Sequence, residues 1–281
     1  MDQMCLLAVF AHPDDEAFGV AGVMRKCADE GIKTALVCAT RGEEGEISDP
    51  ALASPETLGR VREGELRTAG RIMGIEDISF LDYRDGTLAR ADEVEAVGRI
   101  VRQIRRLRPQ VVVTFDANGG YGHVDHMAIH RLTLSAFPKA GDPTCYPEQL
   151  ANGPDGLRPY APQKQYITAN PRSAMRKMRE ELLAQGIDFR PGGNAATISI
   201  EQMGTPDDEI TTTVPLDDRE FNAKMDAMQA HKTQMSPDAP FNRIPRAELR
   251  GWLGTERFVR LVPLGGPGDG SEHDLFAGVT A

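Results

Sequence analysis

Apolar and polar positions divide the first half of the chain into blocks that predict strands and helices in turn. Compact apolar runs, typical of buried strands, alternate with longer stretches whose apolar residues recur every three to four positions, as in amphipathic helices. These blocks predict strands at 4–10, 33–40, 78–81 and 111–115, separated by helices at 18–30, 54–73 and 92–107. This order favours a mainly parallel sheet with helices on both faces. We therefore predict an α/β protein, a Rossmann-like three-layer α/β/α sandwich.

The second half of the chain is less regular. Residues 137–162 hold six prolines and three glycines, which predicts a long irregular loop. Beyond that loop the pattern predicts strands at 165–168 and 211–214 and helices at 171–183 and 218–231. Because no clean linker divides the chain, we predict a single domain over 1–281 with an embellished C-terminal part. Its predicted parts are an α/β core at 1–136, an insert at 137–210, a C-terminal completion at 211–262 and a mobile tail at 263–281.

The composition of the chain argues against nucleic-acid and membrane partners. The 281 residues include 42 acidic side chains against 32 Lys and Arg, for a formal net charge of −10 at pH 7. A nucleic-acid groove or a polybasic membrane surface normally carries a basic excess, so we expect neither partner. No apolar run approaches the roughly 18–20 residues that span a bilayer, and the first run, Cys5–Ala11, lacks the basic segment of a secretory signal. We expect a cytoplasmic protein whose four cysteines, Cys5, Cys27, Cys38 and Cys145, are reduced and mostly buried.

Two polar clusters follow the first and fourth predicted strands. The first cluster, residues 11–16, reads AHPDDE, and the second, residues 116–126, reads DANGGYGHVDH. The carboxyl ends of parallel strands share one edge of the sheet, and ligands bind beyond that edge. We therefore expect the two clusters to meet in space, although more than a hundred positions separate them along the chain.

The residue types in the two clusters suit a divalent transition metal. Neutral imidazoles and one carboxylate are typical ligands of a catalytic zinc, which takes about three protein ligands and keeps one position open. His12, one aspartate of the first cluster and His126 would supply those ligands. The other aspartate could take a proton from a water molecule at the metal, and His123 would donate a hydrogen bond to the substrate oxygen. Two histidines and one carboxylate also suit Fe2+, so the metal stays open between Zn2+ and Fe2+.

Each cluster also has a purely structural interpretation. Either aspartate of the first cluster could cap the helix that follows it, and Asp125 could cap the helix over 126–136. His130 lies four residues after His126 on the same helical face and is an alternative ligand. The occurrence of two such clusters at equivalent strand ends favours the metal site over two unrelated caps. The nucleotide-binding and serine-hydrolase glycine motifs do not occur in the sequence.

These motifs resemble those of the PIG-L/LmbE family of zinc-dependent de-N-acetylases. The resemblance rests on AHPDDE at 11–16 and GGYGHVDH at 119–126, covers residues 4–136 well, and returns at AHKTQ over 230–234. RGEEGE at 41–46 and the GGYGH run are most similar to the mycothiol-pathway branch, which comprises N-acetylglucosaminyl-inositol deacetylases and mycothiol S-conjugate amidases. The sequence departs from the family at Val124, where members often have proline.

The resemblance implies roles for the positions that match the two motifs. It implies that His12, Asp15 and His126 are the metal ligands. It implies that Asp14 is the general base that activates water and also protonates the leaving amine. It further implies that His123 stabilises the tetrahedral oxyanion.

Further positions take their implied roles from the same resemblance. Asp125 would orient a neighbouring histidine, and Tyr121 would be a mobile residue over the substrate. Arg62 and Asp85 match positions that hold sugar hydroxyls, although a surface ion pair or a turn would explain them equally well. Glu46 is a weaker candidate for binding the sugar.

The predicted function is hydrolysis of the N-acetyl amide of a small amino-sugar substrate, which releases acetate and a free amine. One alternative is a mycothiol S-conjugate amidase that removes a larger acyl group from glucosaminyl-inositol, and another is a natural-product sugar deacetylase. An alternative of a different class is a non-catalytic sugar-binding protein. The oligomeric state stays open, with a homo-oligomer among the alternatives.

The C-terminal half offers fewer functional predictions. We expect the insert at 137–210 to wall the substrate cleft of the catalytic core. Its Tyr146, Tyr160 and Tyr166 would either contact substrate or pack at the base of a loop. We expect His231 to cap the end of a helix rather than to line the cleft, and we assign no specific role to His273.

Overall fold

Seven strands form one mixed sheet in the computed structural model of the protein, which describes residues 3–151, 153, 156–188, 190–193, 196–236, 239–263 and 272–280. The strands are β1 (Cys5–Phe10), β2 (Lys33–Cys38), β3 (Asp77–Phe80), β4 (Val111–Thr114), β5 (Lys164–Thr168), β6 (Thr212–Pro215) and β7 (Thr255–Val262). Their order across the sheet is β3-β2-β1-β4-β5-β7-β6. The first five strands pair in parallel, and β7 runs antiparallel to both of its neighbours.

Ten α-helices of the described residues surround the sheet. They are α1 (Asp15–Gly19), α2 (Ala21–Asp29), α3 (Leu58–Met73), α4 (Glu93–Leu107), α5 (Gly119–Gly122), α6 (Val124–Gly141), α7 (Arg172–Ala184), α8 (Asp218–Ala230), α9 (Pro240–Arg243) and α10 (Arg246–Leu253). None of these helices combines the length and the apolar character needed to cross a membrane.

The central strand β1 is buried on both faces, which explains why its sequence is apolar throughout. Leu6, Ala8 and Phe10 pack into one cluster with residues of α2, α3 and α8. The alternate residues of β1 pack into a second cluster with residues of α4 and α6. Two apolar layers therefore lie on opposite faces of a mainly parallel sheet, and the predicted three-layer α/β/α class is confirmed.

The structure differs from the predicted elements at several points. Non-helical backbone at Val20 (φ −144°, ψ 10°) divides the predicted helix over 18–30 into α1 and α2. Helix α3 begins at Leu58, because Ser54 forms a turn with Thr57 before the helix starts. Strand β5 lies within the predicted insert yet pairs with β4 in the middle of the sheet. The boundary predicted at 136 therefore cuts through the sheet. All four cysteines are free, and three of them are buried.

Residues 272–280, which belong to the tail predicted to be mobile over 263–281, pack against the sheet. Residues 264–271 and 281 of that range lie outside the described residues. Leu275 and Phe276 are buried, and Glu272 exchanges backbone hydrogen bonds with strand β6 and the residue before it. The glycine-rich composition of the tail predicted mobility, but two apolar anchors and one carboxylate hold its described part.

Glu272 joins three strands through its carboxylate. It accepts hydrogen bonds from Lys164 Nζ (2.7 Å), Tyr166 OH (2.8 Å), Thr212 Oγ1 (2.6 Å) and Arg260 Nη1 (2.9 Å). Burial raises the pKa of Glu272, but the hydrogen bonds from Lys164, Thr212 and Tyr166 outweigh burial and hold it below the ordinary value. The ionised carboxylate is therefore the form that stabilises this edge of the sheet.

We expect Glu272→Ala to lower the free energy of unfolding at pH 7 by about 2–4 kcal/mol, because the buried Lys164 ammonium loses its partner. The folded-state pKa of Glu272 is lowered. The difference in the free energy of unfolding between the two proteins should therefore be largest above the unfolded-state pKa of about 4.3, and it should shrink as the pH falls below that value. Urea unfolding of both proteins at several pH values measures this difference. Asp208→Asn, at an exposed position, is the control, and an equal, pH-independent loss in both variants would contradict the assignment.

Candidate active site

The two polar clusters meet at the carboxyl edge of neighbouring strands. β1 and β4 pair in parallel, so the loop into α1 and the loop into α5 and α6 leave the sheet side by side. His12, Asp14 and Asp15 come from the first loop and α1, and His123 and His126 come from the second loop and α6. All five side chains line a cavity of about 1520 Å³. The predicted convergence of the two clusters therefore occurs.

Three candidate ligand atoms lie within a few ångströms of one another. His12 Nδ1 is 3.0 Å from His126 Nε2, and His126 Nε2 is 3.3 Å from Asp15 Oδ1. The other oxygen of Asp15 is 3.7 Å from His12 Nδ1 and accepts hydrogen bonds from the backbone N–H groups of Ala11 and His12. Two donors bound to one tetrahedral zinc at about 2.0–2.1 Å lie roughly 3.3 Å apart. The observed spacing fits such an ion.

The hydrogen-bond partners assign the protons on the two rings. His126 Nδ1 lies 3.1 Å from the carbonyl oxygen of Gly119, which makes Nδ1 the protonated nitrogen and leaves a lone pair on Nε2. His12 Nε2 lies 2.9 Å from Asp85 Oδ1 and 3.6 Å from Asp125 Oδ2, which leaves a lone pair on Nδ1. Both free lone pairs face each other and a carboxylate oxygen. Such an arrangement is satisfied by a shared proton or by a cation.

Asp85 and Asp125 lie behind His12, on the side away from its candidate ligand nitrogen. Burial lowers the pKa of His12, but the carboxylates Asp125 and Asp85 raise it to about 10, so that a proton is shared between the two rings unless a cation replaces it. Carboxylates in this position fix the ring and increase its basicity towards a metal. Asp125 also accepts the backbone N–H of Gly86 (2.7 Å), and its other carboxylate oxygen has no partner among the described residues. The structure therefore brings Asp125 next to a histidine, as the resemblance implied.

Other groupings of the same side chains are also close enough to hold an ion. His12 groups with His123 and His126, and separately with Asp85 and Asp125. The alternative ligand His130 belongs to neither grouping in the part of the chain that the structure describes, and its Nδ1 lies 2.7 Å from the Phe115 carbonyl instead.

Asp14 has a strained backbone at the edge of the cavity. Its φ of 107° lies in a region that non-glycine residues rarely adopt, and such strain concentrates at functional sites. Burial raises the pKa of Asp14, although Arg62 and His231 act in the opposite direction. A carboxyl group with a raised pKa, partly open to the cavity, is suited to accepting and returning a proton near neutral pH.

The guanidinium of Arg62 forms hydrogen bonds with other groups of the protein. It donates to the carbonyl oxygens of Pro13 (2.6 Å) and Gly42 (2.8 Å) and lies 3.3 Å from Asp14 Oδ2. Asp85 is similarly bonded, since its two oxygens contact His12 Nε2 and the backbone N–H of Glu44. Both residues line the cavity, and the contacts that the structure shows for them are with other protein groups. Glu46 is exposed on the cavity wall.

His123 is arranged as a neutral hydrogen-bond donor. Its Nδ1 accepts the backbone N–H of Asp125 (3.2 Å), which leaves the proton on Nε2. Burial lowers the pKa of His123, and the nearby charge of His12 lowers it further. The half-buried ring lies beside His12 and His126, with ring centroids 4.7 Å from each. It can therefore donate to an oxygen bound next to the candidate ligand atoms.

Tyr121 lies between the candidate ligands and the insert. Its ring meets His126 edge to face at 5.1 Å. On the other side, a Cβ at Gly192 would come within 2.2 Å of the Tyr121 ring. Thr197 donates to the carbonyl oxygens of Tyr121 (3.1 Å) and Gly122 (2.5 Å). The insert therefore contributes to the cavity wall, although Tyr146, Tyr160 and Tyr166 do not line it.

A buried ion pair beneath Asp14 was missed by the sequence reasoning. His231 Nε2 lies 2.7 Å from Glu16 Oε1, and both side chains are almost completely buried. The backbone of His231 caps α8, as expected, through a hydrogen bond to the Met228 carbonyl. Its ring, however, reaches a residue 215 positions away. The only sequence signals were the last letter of AHPDDE and the isolated AHKTQ run.

The chain is similar in sequence and in fold to known deacetylases. The PIG-L family pattern, described as GlcNAc-PI de-N-acetylase, matches residues 7–137. A protein of Geodermatophilus obscurus named 1D-myo-inositol 2-acetamido-2-deoxy-alpha-D-glucopyranoside deacetylase is 37% identical over 98% of this chain and 97% of its own length. A protein of Thermobifida fusca with the same name is 36% identical over 99% of this chain and 100% of its own length. The N,N'-diacetylchitobiose deacetylase structure from Pyrococcus horikoshii has a similar fold, with a TM-score of 0.66, 22% identity, and coverage of 99% of this chain and 87% of that one.

Proposed function

Because the chain belongs to the PIG-L family of GlcNAc-PI de-N-acetylases, we propose that it is a metal-dependent deacetylase of an amino-sugar. It hydrolyses the N-acetyl amide and releases acetate and a free amine. The observation that carries the proposal is the convergence of two imidazole lone pairs and a carboxylate oxygen beside the strained Asp14. The names of the relatives support N-acetylglucosaminyl-inositol as the substrate.

We propose His12, Asp15 and His126 as the residues that hold the metal. The paired imidazoles and single carboxylate suit Zn2+, and Fe2+ is the alternative that the same donor set accepts. A bound divalent ion supplies Lewis-acid chemistry, since it polarises a carbonyl group and makes water acidic enough to ionise near neutral pH. Asp85 and Asp125 keep the proton on the far nitrogen of His12, so that Nδ1 is available as a ligand.

Asp14 is the proposed general base. Its carboxylate takes a proton from the attacking water and returns it to the nitrogen of the leaving amine. Arg62 fixes the orientation of Asp14 through Nη2, which contacts both the Asp14 carboxylate and the preceding carbonyl oxygen. Arg62 therefore acts through Asp14 rather than on the sugar.

His123 and Tyr121 complete the site around the reacting amide. The Nε2–H of His123 is aimed to donate to the amide oxygen as it gains negative charge, which favours the tetrahedral state over the planar substrate. Tyr121 covers the site from the side of the insert, and its burial raises the pKa of the phenol, which stays protonated. Glu46, on the exposed wall, is the proposed contact for sugar hydroxyls.

The direct test is release of amine from N-acetylglucosaminyl-inositol by the purified protein. We expect turnover with added Zn2+ or Fe2+, loss of turnover on treatment with a chelator, and recovery when the metal is restored. Binding of the substrate without release of acetate in the metal-loaded protein would instead support the non-catalytic sugar-binding alternative.

The size of the cavity favours a second candidate substrate. Ligand pockets usually measure about 300–1,000 Å³, and this cavity is about 1520 Å³. Besides polar residues, its wall includes a set of large apolar side chains: Phe18, Met175, Met178, Phe241 and Trp252. Such a wall suits a substrate with a bulky acyl group, as in mycothiol S-conjugates. Measuring kcat/KM side by side on the acetyl substrate and on an S-conjugate decides between them.

Gly192 offers a test of the role of Tyr121. We expect Gly192→Ala to lower kcat/KM at least about tenfold, because a Cβ there would displace the Tyr121 ring from the reacting groups. Gly193→Ala is a matched control, since Gly193 also has a positive φ but a Cβ there meets nothing within 4 Å. Both substitutions strain the backbone by about 1–2 kcal/mol. Equal kcat/KM values for the two variants would show that this contact does not matter.

A further inference from the structure

We propose that the buried Glu16–His231 pair positions the general base Asp14 for catalysis. In this arrangement His231 holds the carboxylate of Glu16, and Glu16 holds the backbone N–H of Asp14. The inference rests on the proposed function, because it takes Asp14 to be the base. His231 and Glu16 are positioning residues, since neither side chain is among those that line the cavity in the described structure.

The contacts form a continuous chain from the C-terminal half to the base. His231 Nε2 lies 2.7 Å from Glu16 Oε1, and Glu16 Oε2 accepts the backbone N–H of Asp14 at 3.0 Å. The side chain of Glu16 is 0% exposed and that of His231 is 1% exposed. Two such groups are costly to bury unless they satisfy one another. Because Glu16 contacts the backbone of Asp14, this pair is placed to act on the base as well as to pack.

The strain at Asp14 indicates what that function is. A non-glycine residue in a rarely populated backbone region costs on the order of 1–3 kcal/mol and persists only where its surroundings hold it. At Asp14 (φ 107°) the peptide is held by Glu16 on the N–H and by Arg62 on the preceding carbonyl oxygen. If the contact with Glu16 is lost, the backbone can relax and the carboxylate moves. A displacement of about 1 Å at a reacting group can cost about 100-fold in rate.

The segment that carries His231 is fixed independently of the pair. Thr233, two residues later, donates through its backbone N–H (2.8 Å) and its hydroxyl (2.6 Å) to Glu65 of helix α3. Ser48 in turn donates its backbone N–H to the Thr233 carbonyl oxygen. The isolated AHKTQ motif therefore has a physical explanation. Its Thr233 holds the end of α8 against α3, and its His231 contacts Glu16.

Two amide substitutions of different length at His231 test the inference. Glutamine can place an amide nitrogen where Nε2 of histidine lies, whereas asparagine is too short to reach Glu16. We expect His231→Asn to lower kcat about 10–100-fold, with KM changed less than about threefold and the bound metal retained. His231→Gln should keep kcat within about threefold of the unchanged enzyme. A merely structural role would lower thermal stability in both variants without this split between kcat and KM.

Combination with Asp14→Asn shows whether the pair acts through the base. If it does, adding His231→Asn to Asp14→Asn should lower the residual kcat by less than about threefold, since coupled residues are not additive. Unchanged kcat in His231→Asn, equal loss in the asparagine and glutamine variants, or loss of metal would overturn the inference. If His231→Asn does not fold, Glu16→Asp takes its place, because the shorter carboxylate cannot bridge both partners.

The failure of this inference can be distinguished from failure of the proposed function. Full turnover in Asp14→Asn would show that Asp14 is not the general base, and it would overturn the inference as well. If Asp14→Asn is inactive and His231→Asn is fully active, the proposed function stands. Only the positioning role of the Glu16–His231 pair is then contradicted.

Discussion

Replacing Asp14 with asparagine is expected to lower kcat by about 10³-fold or more while the bound metal is retained, because general acid–base catalysis contributes about 10²–10⁴-fold. Asparagine has the same shape as aspartate and tolerates positive φ values better than most residues, so it suits the φ of 107° at this position. It cannot take a proton from water. The measurement is steady-state turnover together with metal content by elemental analysis. Asp14→Ala should lose turnover equally, but with additional strain in the backbone.

The control for Asp14→Asn removes a negative charge from the same cavity without touching the proposed base. Glu44 lines the cavity, is exposed, and pairs with the exposed Arg84. We expect Glu44→Gln to keep kcat within about threefold, because an exposed ion pair contributes little. Full turnover in the Asp14 variant, or an equal loss in both variants, would contradict the assignment of Asp14 as the base.

The parallel half of the fold could be predicted from the sequence because its signals are local. β1 and β4 are buried on both faces, so their residues are apolar apart from Thr114 at the end of β4. The polar clusters follow those same strands. Once a parallel sheet is predicted, the meeting of His12 with His126 follows from topology, and the structure places their nitrogen atoms 3.0 Å apart.

Strand β7, which makes this end of the sheet antiparallel, could not be predicted because its signals are not local. Strand β7 carries Glu256, Arg257 and Arg260 among its apolar residues, and this mixture does not resemble a buried strand. Its charges are compensated by distant parts of the chain: Glu256 accepts hydrogen bonds from the first turn of α2 and from Lys224. The hydrogen bonds of Glu272 and the pairing of His231 with Glu16 are likewise contacts across many residues. A sequence pattern records propensity and periodicity, but not the partner of a buried charge.

The family resemblance indicates which positions along the chain to consider, but it does not show what each side chain contacts. Arg62 and Asp85 lie in the cavity wall, but their polar atoms contact Asp14 and His12. A motif match transfers position along the chain, whereas the role depends on which atoms face the substrate. Loss of either side chain should therefore affect kcat or metal affinity, through the neighbour that it holds, more than substrate affinity.

The second large effect is expected at the candidate metal ligands. Replacing His12 with alanine removes one of three protein ligands and should weaken metal binding by more than about 100-fold, since even the partners behind a ligand are worth about 10–100-fold. His12→Ala purified without added metal should therefore contain far less than one equivalent, and competition with a chelator measures the change in affinity. Activity should fall in parallel and should return in part at high metal concentration.

His123→Ala is the matched control, because it removes the same side chain from the same cavity, 4.7 Å from the His12 ring. His123 also belongs to an alternative grouping with His12 and His126, so the comparison decides between two ligand sets. If the ligands are His12, Asp15 and His126, the His123 variant should keep its metal and lose about 10²–10³-fold in kcat, as expected for loss of an oxyanion donor. Undiminished metal content in His12→Ala would show that His12 is not a metal ligand. Equal loss of metal in both variants would instead show that His123 is a ligand. The oxyanion would then need another hydrogen-bond donor. Tyr121, whose ring meets His126 edge to face, is the tyrosine that lines the described cavity wall and would be the candidate.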